Sequence, residues 1–380
     1  MKTLSSLKLR GIIGTMLIAA MTLSSGCAST AAGREEIQVG SQKITVLDAK
    51  PQSGAGYTAA SDPLDYGKID RYEGIRGEGW LSDDSILVTQ KNQEIDPIQV
   101  FDQMSRVRNL YAYDLKTNQE ESMAKKTAYI WAPIVSPDGK HIFYERFEAG
   151  QYTGILANLE GTEVATVSVD AENGLNLSFS QAEWVNNEEV LVPSSDNGVC
   201  LINVNSGVTK ISNIGLMQTN HASKVGNTIY YVSTDRSLVA YDIPSKQSFV
   251  VKSDVLDFEF SPDKNLFAIQ KRVSDSKTAL VLTDLSGKET ATLTEENQVF
   301  GIRWSPDQSK LACLVTSNDE SKNGLHIFDV ISHEDLYISR DFLNADNGLF
   351  WSPSGKKLLA SISTVKEMML VDNTYIITLK

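Results

Sequence analysis

Short apolar runs separated by polar turns recur along most of the chain. Four of the turns share one order, in which an apolar or aromatic residue is followed by Ser, Pro and a small or acidic residue. These turns lie at 135–140, 260–264, 304–307 and 351–356. In such a turn Ser accepts a backbone hydrogen bond and Pro fixes φ. Asp or Gly suits the backbone conformation in which the chain reverses direction. The pattern predicts a strand on each side of every turn.

Weaker copies of the same unit occur at 80–85, 184–188 and 225–227, and a third strand that ends near Asp or Asn usually follows each pair. Repeats of about 40 residues built from short strands are typical of propeller blades, which bury their faces only against neighbouring blades. The sequence therefore predicts an all-β propeller of seven four-stranded blades. Six blades remain an alternative if the weak unit at Val225 merges with a neighbour.

The turn of aromatic residue, Ser, Pro, Asp, Gly and Lys, together with a later strand that closes near Asp, resembles the TolB-type, or WD40-like, propeller family. The resemblance covers residues 76–380 and implies a propeller architecture without implying an activity. TolB itself also has a separate N-terminal α/β domain, for which residues 28–66 are too few. The role of TolB is therefore not expected to carry over.

The N-terminus has the order of a secretory signal. Lys2, Lys8 and Arg10 precede an apolar run at 11–23, and small residues then lead to Cys27. A small residue directly before a cysteine resembles a lipobox, which implies diacylglycerol on the Cys27 thiol and cleavage before it. The alternative is an ordinary cleaved signal in which Cys27 is incidental.

Three segments are predicted from these patterns. Residues 1–26 form a lipoprotein signal peptide, 27–66 a lipidated N-terminus and flexible tether, and 67–380 the propeller. Within the tether, the apolar alternation at 42–47 is a candidate for a strand that closes the ring in the last blade, unless the run at 375–379 completes that blade unaided. The expected location is the extracytoplasmic side of a bacterial membrane, in a single- or double-membrane envelope.

The formal net charge of −13 limits the classes of partner that the protein can bind. Such a surface repels nucleic acid and anionic lipid, so no nucleic-acid partner is expected and membrane attachment depends on the lipid alone. The protein is expected to be a monomer. Cys200 and Cys313 lie in apolar runs and are expected to be buried free thiols, with a disulfide as the alternative.

Candidate chemistry is sparse. No G-x-S-x-G elbow, P-loop or metal-ligand spacing occurs, so no catalytic residue, metal or cofactor is predicted. Ionisable residues do precede several turn aromatics, where innermost strands line a propeller channel: Glu183, Glu259 and Arg303, with His221 nearby. They form either a polar ligand site or a solvated channel with structural ion pairs.

A long loop at 91–109 is the second candidate site. Its apolar residues, which include Phe101 and Met104, have partial helical spacing and lie among Arg106 and Arg108. Loops of this length usually have a function, so this one is either a lid or partner-binding element, or it folds back on its own blade.

These features favour a non-catalytic scaffold in the cell envelope that binds a protein or a cell-wall glycan through one face of the propeller. Two alternatives remain. One is a small-molecule sensor or carrier that uses the channel, and the other is a propeller lyase or lactonase-like enzyme.

The lipobox assignment gives the first prediction. Cys27→Ser removes the thiol that accepts the lipid, so metabolic labelling with palmitate is expected to disappear and the protein to leave the membrane fraction. Cys200→Ser is the matched control and is expected to keep both the label and the membrane location. A labelled Cys27→Ser protein would contradict the assignment.

Overall fold

A computed structural model describes residues 34–39, 42–47, 64–100, 103–124, 128–168, 177–216, 221–345, 348–366 and 369–380. The predicted signal peptide, Cys27 and most of the predicted tether lie outside these residues. None of the helices within the described ranges is long and apolar enough to span a membrane.

The N-terminal part of the described chain forms a hairpin and one further strand. The hairpin pairs β1 (Arg34–Val39) with β2 (Gln42–Leu47), and β3 (Tyr66–Glu73) follows. Seven four-stranded antiparallel sheets, one of which contains β3, account for the other described strands apart from one inserted two-stranded hairpin, which confirms a seven-bladed propeller.

The first blade is built from the next strands and carries an inserted hairpin. Its four strands are β4 (Arg76–Ser82), β5 (Ser85–Lys91), β8 (Arg108–Asp114) and β9 (Glu120–Ser122). The inserted hairpin consists of β6 (Ile98–Val100) and β7 (Gln103–Ser105). Blade 2 comprises β10 (Tyr129–Val135), β11 (His141–Glu148), β12 (Gln151–Asn158) and β13 (Glu163–Ser168). Blade 3 comprises β14 (Glu183–Trp184), β15 (Glu189–Ser194), β16 (Gly198–Asn203) and β17 (Gly207–Ile211).

The remaining blades follow the same order from the innermost to the outermost strand. Blade 4 comprises β18 (Ala222–Val225), β19 (Thr228–Val232), β20 (Leu238–Asp242) and β21 (Gln247–Lys252). Blade 5 comprises β22 (Val255–Phe260), β23 (Leu266–Ser274), β24 (Lys277–Asp284) and β25 (Glu289–Glu296). Blade 6 comprises β26 (Gln298–Trp304), β27 (Lys310–Thr316), β28 (Gly324–Asp329) and β29 (Asp335–Ser339). Blade 7 contains β30 (Leu349–Trp351), β31 (Lys357–Lys366) and β32 (Met369–Leu379). Short 3-10 turns occur at Phe179–Gln181, Glu320–Lys322 and Arg340–Phe342.

The ring is closed by β3, which supplies the fourth, outermost strand of blade 7. It pairs antiparallel with β32, from Tyr66 opposite Leu379 to Glu73 opposite Asn373. Two expectations are thereby corrected. The strand at 42–47 does not close the ring, because it pairs within its own hairpin. The run at 375–379 does not complete blade 7 unaided, because it belongs to the third strand of that blade. Strand β3 leads almost directly into β4, so the same stretch of chain links the last blade to the first.

Each blade buries both of its faces against its neighbours. Along β5, Ile86 and Val88 pack towards blade 7, while Leu87 between them packs towards blade 2. Successive side chains of a strand point to opposite faces, so a strand with two buried faces reads as a continuous apolar run. Separate apolar clusters fill the spaces between all pairs of adjacent blades.

The Ser-Pro turns close the first two strands of a blade as the sequence predicts. In blade 2, Ser136 Oγ donates to Asp138 Oδ1 over 2.8 Å and accepts from the His141 backbone amide over 2.9 Å. The serines of these turns are almost fully buried. Gly139 has φ of +69°, and a Cβ there would lie 2.8 Å from the Leu81 carbonyl oxygen of blade 1. Glycine is therefore required at this position by both conformation and space.

Tryptophans that end the inner strands join neighbouring blades. Each of four indole N–H groups donates to a backbone carbonyl on the preceding blade. The pairs are Trp80 to Phe350 (2.8 Å), Trp184 to Ile134 (3.2 Å), Trp304 to Glu259 (3.4 Å) and Trp351 to Arg303 (3.0 Å). A buried indole needs such a partner, and here the bond also fixes the spacing between blades.

The loop predicted to have partial helical character contains the β6–β7 hairpin instead. A short apolar run does not separate helix from strand by its periodicity alone. Cys200 and Cys313 are free and buried, as expected.

Ring closure gives the second prediction. Ile69 of β3 is 9% exposed and packs in the cluster between blades 6 and 7. Ile69→Ala is expected to lower the free energy of unfolding by about 2–5 kcal/mol in urea titrations. Lys68→Ala, which alters an exposed side chain on the same strand, is expected to change it by less than about 0.5 kcal/mol. Equal effects of the two changes would contradict a closing role for β3.

Candidate functional site

The inner strands of four adjacent blades bring ionisable side chains together. Glu183 lies on β14, His221 directly precedes β18, Glu259 lies on β22 and Arg303 lies on β26. Three of them occupy the same place in their blades, one residue before the aromatic that opens the turn. The four predicted channel residues therefore form one group. We call these four residues, together with Asp257 and Ser223, the channel cluster.

His221 is held between two carboxylates. Its Nε2 lies 2.6 Å from Glu183 Oε2, and its Nδ1 lies 2.9 Å from Asp257 Oδ1. The imidazole also stacks on Phe258, with 4.8 Å between ring centroids. Ser223 Oγ donates to the other oxygen of Glu183 over 2.6 Å. The ring is consequently fixed in position and orientation.

The charges of this group stabilise one another. Burial acts to lower the pKa of His221, but the Glu183 charge and the bonds to Asp257 and Glu183 outweigh it and raise the pKa well above its usual value. The pKa values of Glu183 and Asp257 are lowered, because the bonds and charge of His221 outweigh the opposing effect of burial. His221 is therefore an imidazolium between two ionised carboxylates at neutral pH.

Solvent still reaches these groups. The exposed fractions of the side chains are 30% for His221, 27% for Glu183 and 43% for Asp257. The cluster thus lines a space that is open to water, and its ion pairs are screened more than those of a closed core.

Glu259 differs from its neighbours. Burial raises its pKa to about 7, against the lowering effects of Arg303 and of the Trp304 backbone amide, which donates to Oε1 over 3.4 Å. Its second oxygen, Oε2, is buried without a hydrogen-bond partner. Arg303 donates to the Ile302 carbonyl over 2.7 Å and lowers the pKa of both Asp257 and Glu259. Glu259 is thus a carboxyl that exchanges its proton near neutral pH.

The loop candidates lie elsewhere. Phe101 is outside the described residues, and of Met104 the structure describes the backbone in β7. Arg106 is exposed and donates to the Ile95 carbonyl over 3.4 Å. Arg108 forms a largely buried ion pair of 2.8 Å with Asp372 of β32, so it joins blade 1 to blade 7.

Sequence reasoning missed Asp257 and Ser223. Asp257 lies two residues before Glu259 on a strand, which places both side chains on the same side, so the spacing was a usable signal. Ser223 has no comparable signal, because its contact with Glu183 depends on how blades 3 and 4 are placed.

His221 is not free to act as a general base in this arrangement. A general base needs a nitrogen or oxygen that can take a proton, and both ring nitrogens of His221 are committed to carboxylates. Among the described residues, no group of three or more His, Cys, Asp or Glu side chains is arranged to hold a metal ion.

The pKa of Glu259 gives the third prediction. The folded value of about 7 lies above the ordinary 4.5, so the carboxyl favours folding fully below pH 4.5 and loses this contribution as pH rises to about 7. Glu259→Gln keeps the neutral form, so its Tm is expected to match the parent near pH 4.5 and to exceed it at pH 8. Glu295→Gln, an exposed change on β25, is the control, and a pH-independent difference for Glu259→Gln would contradict the assignment.

Comparison with known proteins shows similarity in fold. No family model matches the chain, and no curated protein matches it in sequence. An uncharacterized protein from Listeria monocytogenes matches with a TM-score of 0.55 and 14% identity over 76% of this chain and 89% of that one. An oligogalacturonate lyase in complex with manganese matches with a TM-score of 0.58 and 12% identity over 91% and 96%. TolB from Acinetobacter baumannii matches with a TM-score of 0.45 and 16% identity over 70% and 65%. At these identities the first two likenesses show the fold alone, a β-propeller.

Proposed function

We propose that this protein is a membrane-anchored extracytoplasmic lipoprotein whose propeller binds an envelope partner, a protein or a glycan, without catalysing a reaction. The lipid on Cys27 would hold the ring at the membrane surface. The acidic surface makes attachment through anionic lipid unfavourable.

The difference between the two faces of the ring carries this proposal. One face, the turn face, consists of the tight turns between the first and second strands, and their serine and aspartate side chains bond within the turn. The other, the loop face, bears the β6–β7 insertion in blade 1 and the start of β10, where Trp131 is 48% exposed. Burial raises the pKa of Tyr129 on β10, and the charge of Arg108, at the base of the insertion, opposes that rise, so these two features are neighbours. A face that carries an inserted hairpin, opposite a face built of regular turns, favours binding through the former.

The channel cluster supports a non-catalytic role. The imidazolium of His221 offsets one of the two carboxylate charges of Glu183 and Asp257, and structural ion-pair networks of this kind also perturb pKa values. Both nitrogens of the channel histidine already contact carboxylates, so the imidazole is not free to serve as a general base.

One observation favours a second candidate function, a sensor or carrier of a small ligand. Glu259 Oε2 is buried without a partner in the channel cluster, and a ligand that donates a hydrogen bond would satisfy it. Binding would then depend on Glu259 and not on the loop face.

The fourth prediction tests the loop face in the native envelope. A photo-crosslinking amino acid at Arg106, which is exposed beside the insertion, is expected to give adducts with the partner. The same amino acid at Ile331, which is 88% exposed between β28 and β29 on the turn face, is the matched control and is expected to give none. Adducts are identified by mass spectrometry after protease or glycan-hydrolase digestion.

A second variant shows whether the insertion itself is needed. Asn92 donates its backbone N–H to the Val107 carbonyl over 2.8 Å, so residues 93–106 can be replaced by Asn-Gly, which suits a two-residue hairpin turn. In this variant the crosslinker is placed at Gln151, which is exposed at the β11–β12 turn of blade 2, and adducts are expected to decrease at least tenfold relative to the same crosslinker in the parent. Adducts from Ile331 alone would overturn the assignment of the face.

A further inference from the structure

Two aromatic rings on β10 stack on each other at the loop face. Tyr129 and Trp131 are two residues apart on the strand, and their rings lie nearly parallel, with 6.1 Å between centroids and 15° between planes. Tyr129 is partly exposed and Trp131 is 48% exposed. We call this pair the aromatic platform.

The backbone explains why Trp131 is not packed between blades. Ala132 has φ of +45°, in the left-handed region that non-glycine residues rarely adopt. The register between β10 and β11 shifts between Trp131 and Ile134, and such bulges re-aim side chains next to functional sites.

A carboxyl without a partner among the described residues lies beside the platform. Glu145 of β11 is directly opposite Trp131 in register. Burial is the one cause that raises its pKa, to about 7, and no described group donates to it or pairs with it. A half-buried carboxyl that lacks such partners loses hydration without compensation. A ligand with hydroxyl groups would supply the missing hydrogen bonds.

The chemistry of the three residues selects the ligand. Aromatic faces carry negative electrostatic potential and attract the C–H groups on the flat side of a sugar ring, while Tyr and Glu oxygens bind its hydroxyls. A polyanionic glycan is disfavoured, because the chain has a net charge of −13 and Glu145 adds a further acidic group. An uncharged pyranose fits both the apolar and the polar parts of the surface.

We propose that Tyr129, Trp131 and Glu145 form a subsite for an uncharged sugar unit of an envelope glycan. This inference rests on the proposed binding function and names the chemistry of the partner. Trp131 provides the stacking surface, and Glu145 sets the orientation of the sugar through its hydroxyls.

The test uses the full lipidated chain in detergent micelles and isothermal titration calorimetry. The probes are tetrasaccharides of glucose and of N-acetylglucosamine, tetragalacturonate as the anionic comparison, and a proline-rich peptide, which also stacks on aromatic rings. An uncharged tetrasaccharide is expected to bind. Trp131→Ala is expected to weaken its binding at least tenfold and Glu145→Ala at least threefold.

Two controls separate binding from folding. Phe249→Ala removes another exposed aromatic, on the outermost strand of blade 4, and is expected to leave binding unchanged. Thermal melts of Trp131→Ala are expected to match the parent, since the side chain is half exposed. Trp131→Phe, which keeps an aromatic face, is expected to restore part of the affinity.

Several outcomes overturn the inference. They are binding of tetragalacturonate or the peptide alone, binding of no probe, and binding that is insensitive to Trp131→Ala. If photo-crosslinks from Arg106 still identify a protein partner in any of these cases, the proposed function stands and the sugar subsite fails. If an uncharged sugar binds through Trp131 while Arg106 gives no adducts, the subsite stands and the role of the insertion fails.

Discussion

The structure depends on the pairing of β3 with β32. Each blade is apolar on both faces, so it is stable only between two neighbours, and a ring supplies two neighbours to every blade only when it is closed. Closure is reinforced beside this pair. The Trp80 indole donates to the Phe350 carbonyl, Arg108 pairs with Asp372, and Ser361 donates to the Gly77 carbonyl. Gly77 packs so tightly there that a Cβ would lie 2.7 Å from Leu359.

Closure also determines where the polar groups lie. The inner strands converge on the axis of the ring, so residues more than a hundred positions apart in the chain, such as Glu183 and Arg303, belong to one channel cluster. Their charges are largely balanced within the cluster. The loop face is the surface that differs between blades, because it carries the inserted hairpin of blade 1. The hairpin of blade 1 and the aromatic platform of blade 2 lie side by side on that face, which is why the two proposals concern the same part of the molecule.

Much of the fold could be predicted from the repeats, because a Ser-Pro turn and its flanking strands are local features. The weak unit at Val225 is a genuine blade, since its strands bury Leu238 and Ala240 between neighbours. The closing strand was not predictable in the same way. Among the residues of β3, Ile69 is buried while most of the others are polar and partly exposed. Its assignment depends on pairing with a strand about 300 residues away.

The candidate site was likewise only partly predictable from the sequence. The order of residues along each strand indicated that Glu183, Glu259 and Arg303 share one place in their blades, and the same two-residue periodicity pointed to Asp257. The bonds from His221 to carboxylates on two other blades, the unpartnered oxygen of Glu259 and the exposure of Trp131 depend on blade spacing and on the bulge at Ala132. The sequence by itself determined the repeat, the turn chemistry and the acidic character of the chain, because these follow from local residue order and composition. The tertiary structure alone decided how the ring closes, which charges pair and which aromatic rings face solvent, because these contacts join strands far apart in the chain.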